Sequence, residues 1–291
     1  FLINSMVTPT YEGPHHHTFL APSSLKDLPH LTSFDPAFPR EVEWAILDYL
    51  RWRLANPTEG RILYLRTAPF LILKQSELYR RLKEQRTYAG KTDEEINTMI
   101  RPLSLAGGYR IVNYRDDPDY RPGASTATII ATGKVLDPAL EARDKLRAQG
   151  VFTTVVYVTS PTRLFRQHRE VKDRRRQGEH VTSYLEELIP ASERANPTVA
   201  MTDAAESVLN WIGGDLGMVI DTHGILDFSP SDDRLNFLKR NRLDADAIVK
   251  AFRAVRNQRG GSIEAFSSRG AGWTRNLSAV GTLLAGVAGI L

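Results

Sequence analysis

Cysteine is absent from all 291 residues. That excludes disulfides, thiolate nucleophiles and cysteine-ligated metal, and it gives the expectation of a cytoplasmic protein. The small-residue apolar stretch from Ser278 to Leu291 is shorter than the roughly 20 residues a bilayer-spanning helix needs, so it is expected to be a loose tail and no membrane partner is expected. Charge of one sign is never concentrated for long. The formal net charge is +4, and basic residues are interspersed with acidic ones except at Arg174-Arg175-Arg176, which reads as a solvated helix face, so no nucleic-acid partner is expected. Cofactor fingerprints are equally scarce: there is no P-loop, dinucleotide fingerprint or nucleophile elbow. Gly213-Gly214-Asp215-Leu216-Gly217 precedes a strand instead of joining a strand to a phosphate-cradling helix, so it reads as a turn.

What is present is a core-forming chain, with 42% apolar residues, enough for one or two domains. Phe1 to Val7 reads as a strand, and because the chain opens inside it, a fragment or processed chain is expected. Val42, Ile46, Leu47, Leu50 and Leu54 fall at helical spacing, so Pro39 to Ala55 reads as an amphipathic helix with proline at its start. Arg61 to Arg66 reads as a strand, and the long crossover permits it to lie parallel to the first. Lys74 to Arg101 reads as two helices broken at Tyr88-Ala89-Gly90. Asp116 to Ser125, with two prolines and one glycine among four charges, reads as a linker.

Beyond the linker, short apolar strands at Ala127–Ala131, Thr153–Val158, Thr198–Met201 and Met218–Ile220 alternate with helical stretches at 136–149, 162–177, 204–211, 232–240 and 244–256. This alternation predicts an α/β domain with a mostly parallel sheet covered on both faces. Thr132-Gly133 and Asp221-Thr222-His223-Gly224 follow strands. A plain turn and a hydrogen-bonded loop histidine are expected there.

Three of the seven histidines are His15, His16 and His17, in a loop after the first apolar run. Imidazoles titrate near neutrality, so such a loop can move protons. Metal binding ranks below proton transfer, because successive side chains on an extended backbone point to opposite faces and no acidic or cysteine partner follows at ligand spacing. Arg66 ends its strand, where open α/β sheets place their ligands. An ion pair at the surface is its alternative role.

Glu12-Gly13-Pro14-His15-His16, then Thr32 to Phe38 with Arg40-Glu41-Val42-Glu43, Gly107-Gly108-Tyr109, Ile130 to Gly133, Tyr157 to Leu164, Thr202-Asp203 and Gly224 through Arg234 together resemble the thiamine-diphosphate-dependent transketolase superfamily. Within it they are most similar to the homodimeric-type pyruvate dehydrogenase first component. The resemblance implies a partial pyrimidine-binding-type α/β domain (1–115), a linker (116–125), a transketolase C-terminal-type domain (126–258) and an unmatched tail (259–291). It implies a thiamine diphosphate and Mg2+ enzyme that decarboxylates a 2-oxo acid, pyruvate being expected, and hands the acyl group to lipoamide. The main cofactor-binding elements are expected before Phe1, and no metal ligand within this chain.

By the same resemblance His16 is the expected catalytic residue, with His15 next and His17 as a register alternative, stabilising a developing alkoxide or moving its proton. Arg66 resembles the arginine with which transketolases hold a substrate phosphate. A homodimer and a dihydrolipoyl acyltransferase core are the expected partners. Two alternatives stand beside this: two-carbon transfer between sugar phosphates, and a non-catalytic subunit or assembly domain. Thr67-Ala68-Pro69, the charged insert at 74–101 and Phe228 to Pro230 depart from the pyruvate dehydrogenase pattern.

Overall fold

Proline opens the helix after the first polar loop, but only part of its apolar stripe packs inward: Val42 and Ile46 lie against Phe34, Leu63 and Leu65, while Leu47, Leu50 and Leu54 are exposed. The computed structural model describes residues 2–5, 19–67, 73–228, 230 and 232–258. The histidines at 15–17, the segment at 68–72, Ser231 and the tail beyond 258 lie outside the described residues.

The first layer comprises β1 (Leu2–Ser5), α1 (Ala21–Leu25), β2 (Leu31–Phe34), α2 (Pro39–Ala55) and β3 (Ile62–Thr67). Its sheet is parallel in the order β1-β3-β2. Phe34, Leu63 and Leu65 pack with Ala45 of α2, so α2 is the crossover between β2 and β3, and β3 lies parallel to β1 as the sequence predicts. Two helices follow, α3 (Gln75–Lys83) and α4 (Asp93–Ala106). Thr92 caps α4, accepting from the Glu95 amide while the Glu95 carboxylate accepts from the Thr92 amide at 2.7 Å, a reciprocal arrangement that satisfies two orphan donors.

A second sheet has the order β4-β6-β5-β7-β8, formed by β4 (Gly108–Val112), β5 (Thr126–Thr132), β6 (Phe152–Val158), β7 (Thr198–Met201) and β8 (Ile220–His223). All pairings are parallel except β4 with β6. Alternate residues enter opposite cores: Ile129, Val155 and Val199 face one apolar cluster, Ile130, Val156 and Ala200 the other. Burial on both faces is why these strands read as continuous apolar runs. The covering helices include α5 (Leu136–Ala148), α6 (Pro161–Arg176), α7 (Tyr184–Leu188), α8 (Trp211–Leu216) and α9 (Arg234–Arg240).

Several elements differ from expectation. β4 precedes the segment 116–125 and belongs to the second sheet, so by sheet membership the division falls near Gly107. Gly107 and Gly108 sit there for steric reasons: a Cβ on Gly108 would stand 2.4 Å from the Tyr157 carbonyl oxygen, and one on Gly107 2.6 Å from the Leu164 side chain. Gly213 and Gly214 lie inside α8, and it is Gly217, at φ 65°, that ends the helix, as a left-handed C-cap does. The last strand runs from Ile220 to His223, two residues later than its apolar pattern suggests.

Residues up to Phe252 form one compact unit. A second unit begins at Arg253, of which 253–258 are described and helical. No helix among the described residues is long and apolar enough to cross a membrane.

Candidate functional site

Parallel sheets bring the residues that follow their strands to one edge. Here the carboxyl ends of both sheets meet, joined by hydrogen bonds between residues far apart in the chain. The Ser33 amide donates to Thr162 Oγ1 at 2.8 Å, and the Asp35 amide to the Thr159 carbonyl at 2.7 Å. α6, which opens with Pro161 and Thr162, thereby clamps β2 of the first sheet to the end of β6 in the second.

Arg66 lies in this seam with no exposed surface. Its Nη1 donates to Asp35 Oδ2 at 2.9 Å, while Nη2 donates to the Asp203 carbonyl and lies 3.8 Å from Asp203 Oδ2. Asp35 follows β2, Arg66 ends β3 and Asp203 follows β7, so one guanidinium ties three strand ends together. Burial works to lower the Arg66 pKa, but Asp35 and Asp203 outweigh it and raise it. Burial raises the Asp35 pKa, with Arg66 only partly offsetting it. Arg66 is thus an ion-paired residue, as its alternative role proposed, but in the interior instead of at the surface. Two of its nitrogens are committed to the protein's own oxygens, which leaves its phosphate-holding role without support from this geometry.

Lys134, just beyond β5, is 5% exposed. Burial lowers its pKa to about 8, with Asp203 pulling the other way. Thr132 Oγ1 donates to Thr202 Oγ1 at 3.1 Å beside it. A lysine poised to lose its proton near neutrality is a usual sign of a functional position. The sequence carries no local mark of it beyond its place in a strand-to-helix turn.

A third buried carboxylate joins the layers. Glu41, on the first turn of α2, accepts from Tyr109 Oη at 2.8 Å, Tyr157 Oη at 2.7 Å and the Ala37 and Phe38 amides at 3.1 and 3.2 Å. Burial raises its pKa to about 7, although both tyrosine hydroxyls and both amides favour the carboxylate. Its titration is thereby moved from the acid range toward neutral pH. The Tyr109 and Tyr157 rings meet edge to face at 5.4 Å, and both hydroxyls are held well above the usual phenol range by burial, then by Glu41.

Neither His223 nor the arginine triplet adds to this edge. His223 Nε2 lies 3.2 Å from Asp221 Oδ2 within β8. Arg174, Arg175 and Arg176 pair with Glu179, Glu186 and Asp173. His168 is buried, with Nδ1 2.7 Å from Ser183 Oγ and Nε2 3.7 Å from Asp215. This trio resembles a nucleophile relay, but Ser183 is fully buried and caps α7.

Among the described residues no group of three histidine or acidic side chains could hold a metal ion, and Arg66 Nη1 and Nη2 are turned on Asp35 and Asp203, although Asp35 Oδ1 and Arg66 Nε make no hydrogen bond. These residues do not form a cradle for a diphosphate and its metal, so no chemistry is routed through such a group here.

Residues 107–242 match the family model of the transketolase-like C-terminal domain. The second sheet is a transketolase C-terminal-type domain. The fold extends this likeness to the first layer. Transketolase from Leishmania mexicana is 16% identical over 88% of this chain, with a TM-score of 0.55. Transketolase from Pichia stipitis in complex with sedoheptulose 7-phosphate is 15% identical over 89%, with a TM-score of 0.57. Each match covers 30% of those chains, so this chain spans under a third of their length. A split-gene transketolase, described as an inactive β4 tetramer, is 16% identical over 87% of this chain and 65% of its own, with a TM-score of 0.55. No curated protein sequence matches.

Proposed function

We propose that this chain supplies the substrate-facing part of a transketolase-type enzyme that moves a two-carbon unit between sugar phosphates. The observation that carries the proposal is the coincidence of the family match over 107–242 with a transketolase fold across 88–89% of the chain. Thiamine diphosphate and its metal would be held by other elements of the complete enzyme, as would be expected of a chain that matches 30% of full transketolases. The split-gene relative gives a precedent for a polypeptide of this kind that is inactive by itself.

In this proposal His16, with His15 next and His17 as the register alternative, faces the substrate and moves a proton at its reacting oxygen. Support comes from chain order: the histidines follow β1 in the sequence, and Asn4 of β1 pairs in register with Arg66. Arg66 acts as a positioning residue that fixes Asp35 and Asp203, with Lys134 beside Asp203 as the second titrating group of the edge.

A 2-oxo acid decarboxylation remains the second reading, because the internal neutralisation of Arg66 removes the one residue that argued for a phosphorylated substrate. Assaying the complete enzyme with a ketose phosphate donor and an aldose phosphate acceptor, and separately with pyruvate and lipoamide, decides between them. Two-carbon transfer without pyruvate turnover, lowered about 100-fold or more by His16→Ala, supports the proposal. Pyruvate turnover without transfer overturns it. Activity with neither substrate would favour an assembly role. A homodimer is proposed for the complete enzyme, with light scattering as its check.

A further inference from the structure

At the amino ends of β2 and β3, opposite the seam, a cleft of about 540 Å3 opens between the first sheet and α6. Small-ligand sites commonly fall in the range of about 300–1,000 Å3. Arg61, Arg163 and Arg166 all line it, with Trp52 beside them. Their partners differ. Arg163 is neutralised, its Nη2 donating to Asp48 at 2.5 Å. Arg61 has only a 3.4 Å contact to Thr32 Oγ1 and a position 5.0 Å over the Trp52 ring. Arg166 donates through Nη2 to the Leu28 and Leu31 carbonyls.

No described carboxylate lies within 4.0 Å of Arg61 or Arg166, although Glu59 and Glu170 also line the cleft. The guanidiniums feel one another. Burial lowers the pKa of Arg61 first, then repulsion from Arg163 and Arg166 adds to it, with Asp48 opposing. Burial likewise lowers that of Arg166, with Glu170 opposing and Arg163 adding. Like charges gathered in a partly buried cleft are a destabilising arrangement unless an anion joins them.

We infer that this cleft binds a phosphate group carried on a small molecule, between Arg61 and Arg166, at a place separate from the carboxyl-end site. Phosphate is favoured over carboxylate by its oxygen count. A carboxylate's two oxygens are satisfied by one guanidinium fork, whereas the three free oxygens of a phosphate monoester can meet two. The Trp52 face orients Arg61 by stacking, which leaves the edge of its fork for the ligand.

Calorimetric titration of the full 291-residue chain tests this at constant ionic strength, with inorganic phosphate, glycerol phosphate and malonate as probes. Saturable phosphate binding with a Kd of about 1 mM or below is expected, weakened about tenfold or more by Arg61→Ala with the melting temperature unchanged. Arg61→Lys should fall between, since an ammonium keeps the charge without the fork. Tighter binding of glycerol phosphate than of phosphate identifies an ester as the occupant, and the reverse identifies the free ion. Because Arg166 also ties two carbonyls, Arg166→Lys is the companion variant should Arg61→Ala not fold, and it too should weaken binding. Equal binding by wild type and the folded variants, no saturation by about 20 mM, or malonate binding as tightly as phosphate would overturn the inference.

Discussion

Arg61 and Arg66 stand at opposite ends of one strand, and their surroundings have little in common. Arg66 is fully buried and held by Asp35 and Asp203. Arg61 is half-buried at the mouth of a cleft it shares with Arg163 and Arg166, whose repulsion Asp48 opposes, and no described carboxylate lies within 4.0 Å of it. The contrast teaches what the two edges do. At the carboxyl edge the protein has supplied every counter-charge itself, so Arg66 holds strand ends in place. At the amino edge the counter-charge is left to something outside the chain.

Breaking the carboxyl edge should have the largest effect. Arg66→Met leaves Asp35 and Asp203 in the interior without their cation, and removing one partner of a buried pair costs about 3–5 kcal/mol. For a chain of this size the melting temperature should fall on the order of 10 °C. Adding Asp35→Leu to that variant should recover part of the loss, since an apolar pair replaces an orphaned carboxylate. A fall of only a degree or two in Arg66→Met would mean that water reaches the seam and that the two edges are less different than their burial indicates.

Glu41 sharpens the same comparison through pH. Its folded pKa of about 7 lies above the ordinary 4.5, so its contribution to stability is fully present below about pH 4.5 and is lost as pH rises through 7. The span corresponds to about 3 kcal/mol. Glu41→Gln should remove this pH dependence while keeping acceptors for Tyr157 and the two amides, and denaturant titrations of both proteins at pH 5 and pH 8 measure it. Glu41→Ala should cost about 2–4 kcal/mol at pH 5, because two tyrosine hydroxyls and two amides lose their acceptor, and less at pH 8, where the wild type has already lost the pH-dependent part of the Glu41 contribution. A parallel pH profile for wild type and Glu41→Gln would show that the carboxyl group keeps its proton, or its charge, throughout.

A smaller loss is expected at the junction of the layers. Gly108→Ala places a Cβ 2.4 Å from a backbone oxygen of β6, which only a shift of the β4 edge can relieve, at about 1–3 kcal/mol. Retention of wild-type stability would mean that this antiparallel edge is free to slide.

Much of the fold was legible in the sequence, for physical reasons that also explain what was not. Pro39 and the Val42 to Leu54 spacing mark the limits of α2, and the doubly buried strands β5, β6 and β7 announce themselves as apolar runs. β2 escapes notice because it is four residues long with Thr32 and Ser33 at its centre. Ser33 is buried because Thr162 on α6 and Ser160, which caps that helix, satisfy it, a partnership no local pattern reveals. β4 is masked by Gly108 at its start and Gly107 before it, which read as loop but serve close approach to Tyr157 and Leu164.

The candidate site follows the same logic. Asp35 and Asp203 lie in motifs that resemble a known superfamily, yet their partner Arg66 is 31 and 137 residues away. The second sheet has the mostly parallel α/β order that the alternation of strands and helices predicts, while the pairing of Arg66 with Asp35 and Asp203 is a setting that no local pattern reveals. The histidine loop, the strongest functional signal in the sequence, lies outside the described residues.

The arginine triplet at the end of α6 supplies the smallest expected effect and the control for all the others. Arg174 donates from Nε at 2.8 Å and from Nη2 at 2.5 Å to Glu179 Oε2, closer than anything Arg66 makes to a carboxylate, so distance alone would rank it first. Both partners are well exposed, at 53% and 43%, and water and salt screen such a pair almost completely. Its place in the last turn of a helix adds a favourable but equally screened interaction with the carbonyl end. Arg174→Ala should therefore leave the melting temperature unchanged at 0.15 M salt and lower it detectably only at low ionic strength. A loss approaching that of Arg66→Met would show that contact geometry, and not burial, sets the weight of these arginines, and the distinction between Arg61 and Arg66 would lose its basis.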